Sequence, residues 1–300
     1  MWKEKFRTGI DIIDAQHKEL FDKAGVLLAG AGECVESNRE NCIATVLFLK
    51  NYSISHFAYE EEFMQSVDYE DFAEHKVQHE KFMQSVLFYE QKMMESDFDQ
   101  RYVKEFIGML ATWLIYHVSD VDMRYVRHIS GDRVGETPPE SGVAQVSAAS
   151  GGRRHADMVR SGVSSTLAMM AGLEDDSFSV VDCLDADEGD SMSIEVGLTG
   201  DISGYITYVY PKEFVKNLIF SLMNYMPAEI GELEMSALYE LSNIMSGNIC
   251  GQMSKIENKL CDIKPPTLLD MNAFEPDERI YLNTGIGVIQ TDITVDYEAA

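Results

Sequence analysis

Between Ser55 and Phe82 the chain reads SHFAYEEEFMQSVDYEDFAEHKVQHEKF, with His56 and Glu60 spaced H-x-x-x-E and His75 and His79 spaced H-x-x-x-H. Residues four apart on a helix share a face, so each pair presents its side chains in one direction. Helical periodicity runs through both segments. Imidazole and carboxylate facing inward from neighbouring helices are what a metal site in a helix bundle requires, and core packing alone calls for neither.

The pattern around this stretch is helical from Asp14 to about Ile129. It predicts four helices: about Asp14 to Leu28, Arg39 to Gln65, Tyr69 to Ser96, and Asp99 to Ser130. Short connections make neighbours antiparallel, which gives an up-down-up-down bundle. Of seven histidines in the chain, His17 falls on the first helix, His56 on the second, His75 and His79 on the third and His117 on the fourth. Burying that many imidazoles without a ligand to satisfy them is costly. His128, on the charged stretch RYVRH, reads as surface, and Phe57, Phe63, Met64, Phe82 and Trp113 read as bundle core.

Imidazole and carboxylate without thiolate suit iron, manganese or zinc, and so many donors exceed one mononuclear centre. Two metals bridged by carboxylates fit. The second carboxylate is open on spacing alone. Asp120 lies three residues beyond His117, close to the same face, whereas Asp122, five beyond, sits roughly 140° away on a regular helix. These residues, with D-A-Q-H-K-E-L-F around His17, H-F-A-Y-E-E around His56, H-K-V-Q-H, and W-L-I-Y-H-V-S-D-V-D, resemble bacterial hemerythrins, non-haem di-iron oxygen-binding bundles, over about Met1 to Ser130. The resemblance implies that His75, His79 and His117 bind one iron and His17 and His56 the other, with Glu60 and Asp122 bridging. It also implies O2 as the ligand of the second iron. Its H-x-x-x-x-D pattern favours Asp122 and predicts a π-like widening of the helix there.

A formal net charge of -27 disfavours nucleic acid and anionic lipid as partners, since no Lys/Arg cluster relieves the repulsion. The N-terminus lacks a signal-like apolar core, and no run approaches the roughly 18 apolar residues of a spanning helix. Five cysteines without a C-x-x-C pair argue against a disulfide framework or a zinc ribbon. These features are those of a cytoplasmic protein with reduced thiols.

From Ser130 to about Arg154 the composition turns to Gly, Ser, Pro and Ala without a hydrophobic period, which predicts a flexible linker over 131–154 between a bundle at 1–130 and a second domain at 155–298. In the second domain, His155 to Gly172, Pro211 to Met226 and Ser236 to about Lys259 read as helices. Phe178 to Leu184, Met192 to Leu198, Gly204 to Tyr210, Thr267 to Met271, Arg279 to Asn283 and Gly287 to Thr294 read as strands. This order predicts an α/β (α+β) domain with a mainly antiparallel sheet, so the chain as a whole is multidomain, all-α then α/β.

The run SALYELSN places Ser236, Glu240 and Asn243 along one helix face, as S-x-x-x-E-x-x-N, with Pro266 further on. With the preceding G-D-I-S-G-Y-I-T-Y, it resembles the CheC/CheX/FliY chemotaxis phosphatases, and a single motif copy is most similar to the CheX branch. The resemblance covers roughly His155 to Asp296. It implies hydrolysis of the phospho-aspartate of a response-regulator receiver that carries its own Mg2+. Asn243 would orient the attacking water, Glu240 would pair with a receiver lysine, Ser236 would at most support them, and Pro266 would fix a turn. It also implies dimerisation through this domain.

Together the two signatures predict an O2- or redox-responsive phosphatase in chemotaxis or two-component signalling. An alternative keeps an O2-binding bundle and makes the second domain a non-catalytic docking module. A third reading leaves only O2 storage or delivery, with no role for the second domain.

Overall fold

The computed structural model describes residues 2–30, 35–131, 152–184, 190–269 and 276–297. They divide into two units, Met1–Gly142 and Val143–Ala300. Over 132–151 the expected linker lies outside the described residues, as does Cys34.

In the first unit, α1 (Asp11–Gly30) opens with Asp11 and Asp14 in its first turn, where acidic residues complement the helix dipole. The Asp14 carboxylate accepts hydrogen bonds from Thr8 N (2.7 Å), Thr8 Oγ1 (2.8 Å) and Gly9 N (3.2 Å), which fastens the preceding loop to the helix. Then come α2 (Val35–Ser66), α3 (Phe72–Glu95) and α4 (Gln100–Tyr116). Asp97 and Phe98, both at positive φ, turn the chain from α3 into α4, and the Asp99 side chain caps α4 by accepting from Arg101 N at 2.9 Å. A π-helical turn, His117–Val121, leads without a break into α5 (Asp122–Ile129). The expected fourth helix is therefore one rod with a widened turn in it. Helix α1 packs on α2 and α4, and α3 packs on the same two, which closes the ring of an up-down bundle. The whole of α4 from Phe106 to Tyr116 is buried.

In the second unit, α6 (Gly152–Leu167) starts three residues before the expected boundary at 155 and ends in a π-helical turn, Ala168–Gly172. Seven strands follow with two further helices: β1 (Ser179–Val181), β2 (Ser191–Gly200), β3 (Ile202–Pro211), α7 (Lys212–Met223), α8 (Glu232–Glu257), β4 (Cys261–Ile263), β5 (Thr267–Leu269), β6 (Glu278–Asn283) and β7 (Val288–Tyr297). The sheet runs β1-β6-β7-β3-β2-β4, with β5 also on β2, and every pairing is antiparallel. Strand β4 was not expected from the sequence, and β1 is shorter than Phe178 to Leu184. The registers Ile194↔Tyr208 and Tyr208↔Thr291, with Val196↔Ile206 and Ile206↔Ile293, line up a buried face across the sheet. Two buried tyrosines of that face bond to α8: Tyr208 Oη lies 2.9 Å from Ser246 Oγ and Tyr210 Oη 2.8 Å from Ser242 Oγ. They fix the rotation of α8, and hence which of its residues turn away from the sheet.

Helices α6 and α8 approach closely at Gly162, where an added Cβ would lie 2.5 Å from Ile249 Cγ1. Gly162→Ala should therefore cost about 1–3 kcal/mol through overpacking, as read from the denaturation midpoint at unchanged m-value.

Candidate functional site

Seven side chains that the sequence singles out converge at the bundle centre, all buried: His17, His56, Glu60, His75, His79, His117 and Asp122. The four-residue spacings on α2 and α3 aim His56 with Glu60, and His75 with His79, into the bundle. The π turn does the same for His117 and Asp122. Asp122 N–H bonds to the His117 carbonyl, five residues back, so the widened turn stacks side chains that a regular helix would splay. Asp122 Oδ1 thus comes within 3.1 Å of His117 Nε2 and 3.5 Å of His75 Nε2, and its Oδ2 within 3.1 Å of His17 Nε2. Asp120 is spent elsewhere, accepting from Arg124 Nη2 at 2.6 Å.

The donors form two groups that share Glu60: Glu60 with His75, His79 and His117, and Glu60 with His17 and His56. His79 Nε2 lies 3.1 Å from both His75 Nε2 and His117 Nε2. Imidazole nitrogens this close, converging with a carboxylate, are spaced as donors that one ion could hold. Unpaired buried atoms point the same way. His17 Nε2, Glu60 Oε2 and both Asp122 carboxylate oxygens have no hydrogen-bond partner among the described residues. A donor set of imidazole and carboxylate fits a pair of iron ions.

Electrostatics set the donors' protonation. For Glu60, burial alone would favour the neutral acid, but His56, His17 and His79 outweigh it and hold the carboxyl well below its usual range. Asp122 is likewise lowered, chiefly by His117 and His17 against burial and the charge on Glu60. Burial pushes His56 down to about 4, and burial with the neighbouring His117 pushes His75 down to about 3, so both are neutral imidazoles at pH 7. His17 is raised to about 9, because its contacts with Asp122 and Glu60 overcome burial.

Around these donors stand residues that sequence reasoning missed as parts of the site. Gln16 Oε1 is 2.9 Å from His56 Nδ1, Glu61 Oε1 is 3.3 Å from His79 Nδ1, and Tyr125 Oη donates to Glu60 Oε1 at 3.0 Å. Such outer partners fix ring orientation and tautomer. Phe57 stacks on His79 at 3.8 Å and Trp113 on His117 at 4.3 Å, so two residues read as plain core also brace the imidazoles. A small cavity lined by Leu20, Leu49, Phe57, Leu110 and Leu114 abuts His17, His56 and His117. His128, expected at the surface, is half-buried, with Nε2 3.1 Å from the Val67 carbonyl and its ring edge-on to Tyr69.

In the second unit, Glu240 and Asn243 of α8 are both half-buried, and neither has a hydrogen-bond or ion-pair partner among the described residues. Surrounding protein desolvates the Glu240 carboxyl even though its edge reaches solvent, and raises its pKa to about 7. Ser236 is buried one turn earlier, and Pro266 sits between β4 and β5.

A closed four-helix bundle with buried histidines and a shared carboxylate at its centre defines the class of dinuclear non-haem metal proteins. Residues 8–129 match the Hemerythrin HHE cation binding domain. The chain is 32% identical to a bacteriohemerythrin of Clostridium acetobutylicum over 130 residues, which cover 42% of this chain and 98% of that one. It is 31% identical to a bacteriohemerythrin of Pseudomonas paraeruginosa over 127 residues, 42% of this chain and 78% of the relative. The chain belongs to the hemerythrin family. Residues 233–269, which include Glu240, Asn243 and Pro266, match the CheC-like family. Two solved structures are similar over about half of the chain. One is a CheX-CheY-BeF3-Mg complex from Borrelia burgdorferi, with 19% identity, 47% and 97% coverage and a TM-score of 0.40. The other is the chemotaxis protein CheX from Vibrio vulnificus, with 12% identity, 49% and 99% coverage and a TM-score of 0.41. Among the described residues no helix is long and apolar enough to cross a membrane.

Proposed function

We propose that this protein binds O2, or registers redox state, at a di-iron centre in its bundle, and dephosphorylates the phospho-aspartate of a receiver protein through its second domain. The observation that carries the reading is the pairing on one chain of the convergent donor set with Glu240 and Asn243, unpartnered on the face of α8 within the CheC-like segment. In the bundle, His75, His79 and His117 would hold one iron and His17 and His56 the other, with the Glu60 and Asp122 carboxylates available to both. When bound, the iron pair supplies reversible O2 binding. The chain's own part is to keep both carboxylates ionised, orient His56 through Gln16, His79 through Glu61 and the Glu60 carboxylate through Tyr125, and present an apolar cavity beside His17 and His56.

In the second domain the receiver brings the acyl phosphate and its own Mg2+, and the phosphatase face supplies position. Asn243 holds a water by its amide for in-line attack on phosphorus. The bond from phosphorus to the aspartyl oxygen breaks, giving inorganic phosphate and a free carboxylate. Glu240 pairs with a receiver lysine and sets the register of the two proteins. A homodimer through this domain is part of the reading, and coupling would run through docking between domains or protomers. The test is the rate of phosphoryl loss from receiver domains of the source organism with the di-ferrous and then the oxygenated or di-ferric protein added. Acceleration that changes with iron state is expected. Binding without turnover would instead favour a docking module.

A further inference from the structure

One buried hydroxyl near the bundle's donors belongs to neither donor group. Ser53 on α2 is 1% exposed, and its Oγ has no hydrogen-bond partner among the described residues. A serine inside a helix commonly returns its hydroxyl to a carbonyl three or four residues back. Ser55 and Ser66 on the same helix do so, to Tyr52 at 2.9 Å and Phe63 at 2.7 Å, and Ser85 on α3 does so to Lys81 at 3.2 Å. Those serines reach solvent and could bond to water instead, whereas Ser53 does not. A buried O–H left unpaired is costly, and it is free to meet an acceptor from outside the chain.

The position of Ser53 says where that acceptor would sit. Leu49, Ser53, His56 and Phe57 follow one another at helical spacing, and all of them line the small cavity beside His17, His56 and His117. Among the described residues that line it, Ser53 carries the only hydroxyl, and the rest of the wall is aliphatic, aromatic or imidazole. The cavity offers about 10 Å³, room for a guest of about two or three atoms. It abuts the donor group with fewer imidazoles, His17 and His56 with Glu60, against His75, His79 and His117 with Glu60. That is the half with room for a ligand the chain does not supply. Ser53 is not needed to hold the His56 ring, whose Nδ1 already has Gln16 Oε1 at 2.9 Å.

We propose that Ser53 is the hydrogen-bond donor the chain presents to a small acceptor ligand in this cavity, O2 or a slim anion. The inference rests on the di-iron reading above and names a residue that selects the ligand. A neutral hydroxyl donates without adding a charge beside the ionised Glu60 and Asp122. In apolar surroundings, where no water competes, one such bond is strong enough to discriminate. Ser53 therefore favours a guest with a lone pair to offer over one of the same size without it, and the cavity wall excludes larger acceptors.

The test uses the full-length, iron-loaded di-ferric protein with azide as the probe, in wild type, Ser53→Ala and Ser53→Thr. Iron content and far-UV circular dichroism are read on the same samples, and equal iron in all of them is expected. The azide dissociation constant, from an absorbance titration, should rise about tenfold in Ser53→Ala and stay within about threefold of wild type in Ser53→Thr, which keeps the hydroxyl. The infrared stretch of bound azide should shift in Ser53→Ala relative to wild type. Without azide, the denaturation midpoint of Ser53→Ala should match or exceed that of the wild type, because the change removes a buried hydroxyl that pairs with nothing in the chain. Equal azide affinity in folded, iron-loaded wild type and Ser53→Ala would overturn the proposal and leave the di-iron reading standing. A lowered midpoint in azide-free Ser53→Ala would place the hydroxyl's partner inside the bundle and overturn it as well. A wild type that takes up no iron would overturn the di-iron reading, and this proposal with it.

Discussion

Asp122→Ala should strip the bundle of its metal pair, whereas Asp120→Ala should leave it in place. Asp122 is fully buried, and its two oxygens face three histidines, His17 on one side and His75 and His117 on the other. On the proposed reading, removing it deletes a donor from both halves of the centre. Loss of even an outer partner costs about 10–100-fold in metal affinity, and loss of a bridging donor should exceed about 100-fold. Asp120 holds Arg124 at 2.6 Å, and its removal should cost stability instead, about 1–3 kcal/mol for a charge-assisted hydrogen bond. Metal content after desalting, compared with far-UV circular dichroism of the same samples, separates the two. Metal retained in folded Asp122→Ala, or lost in folded Asp120→Ala, would reverse the assignment. The contrast tests the π turn itself, because only the widened register brings Asp122 over His117.

That turn also marks how far the sequence could be read. Histidines and Glu60 at four-residue spacing were legible because a regular helix maps spacing onto direction, and inward facing needed no tertiary knowledge. Asp122 was not legible from period 3.6, which points to Asp120; the family pattern supplied it, and the i→i+5 bond from Asp122 N–H to the His117 carbonyl gives the reason. Gln16, Glu61 and Tyr125 gave no signal, since polar residues beside a ligand look like helix surface until a neighbouring helix is docked. In the second domain the long alternating strands were readable. Cys261–Ile263 was not, because three residues carry no period and become a strand only by pairing with Leu198 to Gly200. Asn224 and Asn258, both in the left-handed conformation, end α7 and α8 earlier than hydrophobic pattern alone suggested, and asparagine at such a position is a stop signal that could have been used.

Replacing both Glu240 and Asn243 by Ala should abolish any acceleration of receiver dephosphorylation while leaving the fold and the bundle's metal content unchanged. The two single changes should fail differently. Without the Asn243 amide the attacking water loses its orientation, so turnover should fall about 10²–10³-fold with little change in KM. Without Glu240 a charge-assisted contact to the receiver is lost, which should raise KM about 10–100-fold. Glu240 also gives the activity a pH signature. Desolvation raises its pKa to about 7, so it is protonated below that pH and must lose the proton to pair with a lysine. KM should therefore fall as pH rises through 7, and Glu240→Gln should flatten the profile. The stability of the unbound domain should move the opposite way. An unfolded Glu ionises near 4.5 at no cost, so the folded state loses relative stability as pH climbs from about 4.5 to about 7 and levels off above, by about 1 kcal/mol once screening of a partly exposed carboxylate is allowed for. A receiver assay and a denaturation series at pH 6 and pH 8, on wild type and Glu240→Gln, would read both trends from one residue. If KM is the same at both pH values in the wild type, Glu240 is not the group that meets the receiver's lysine.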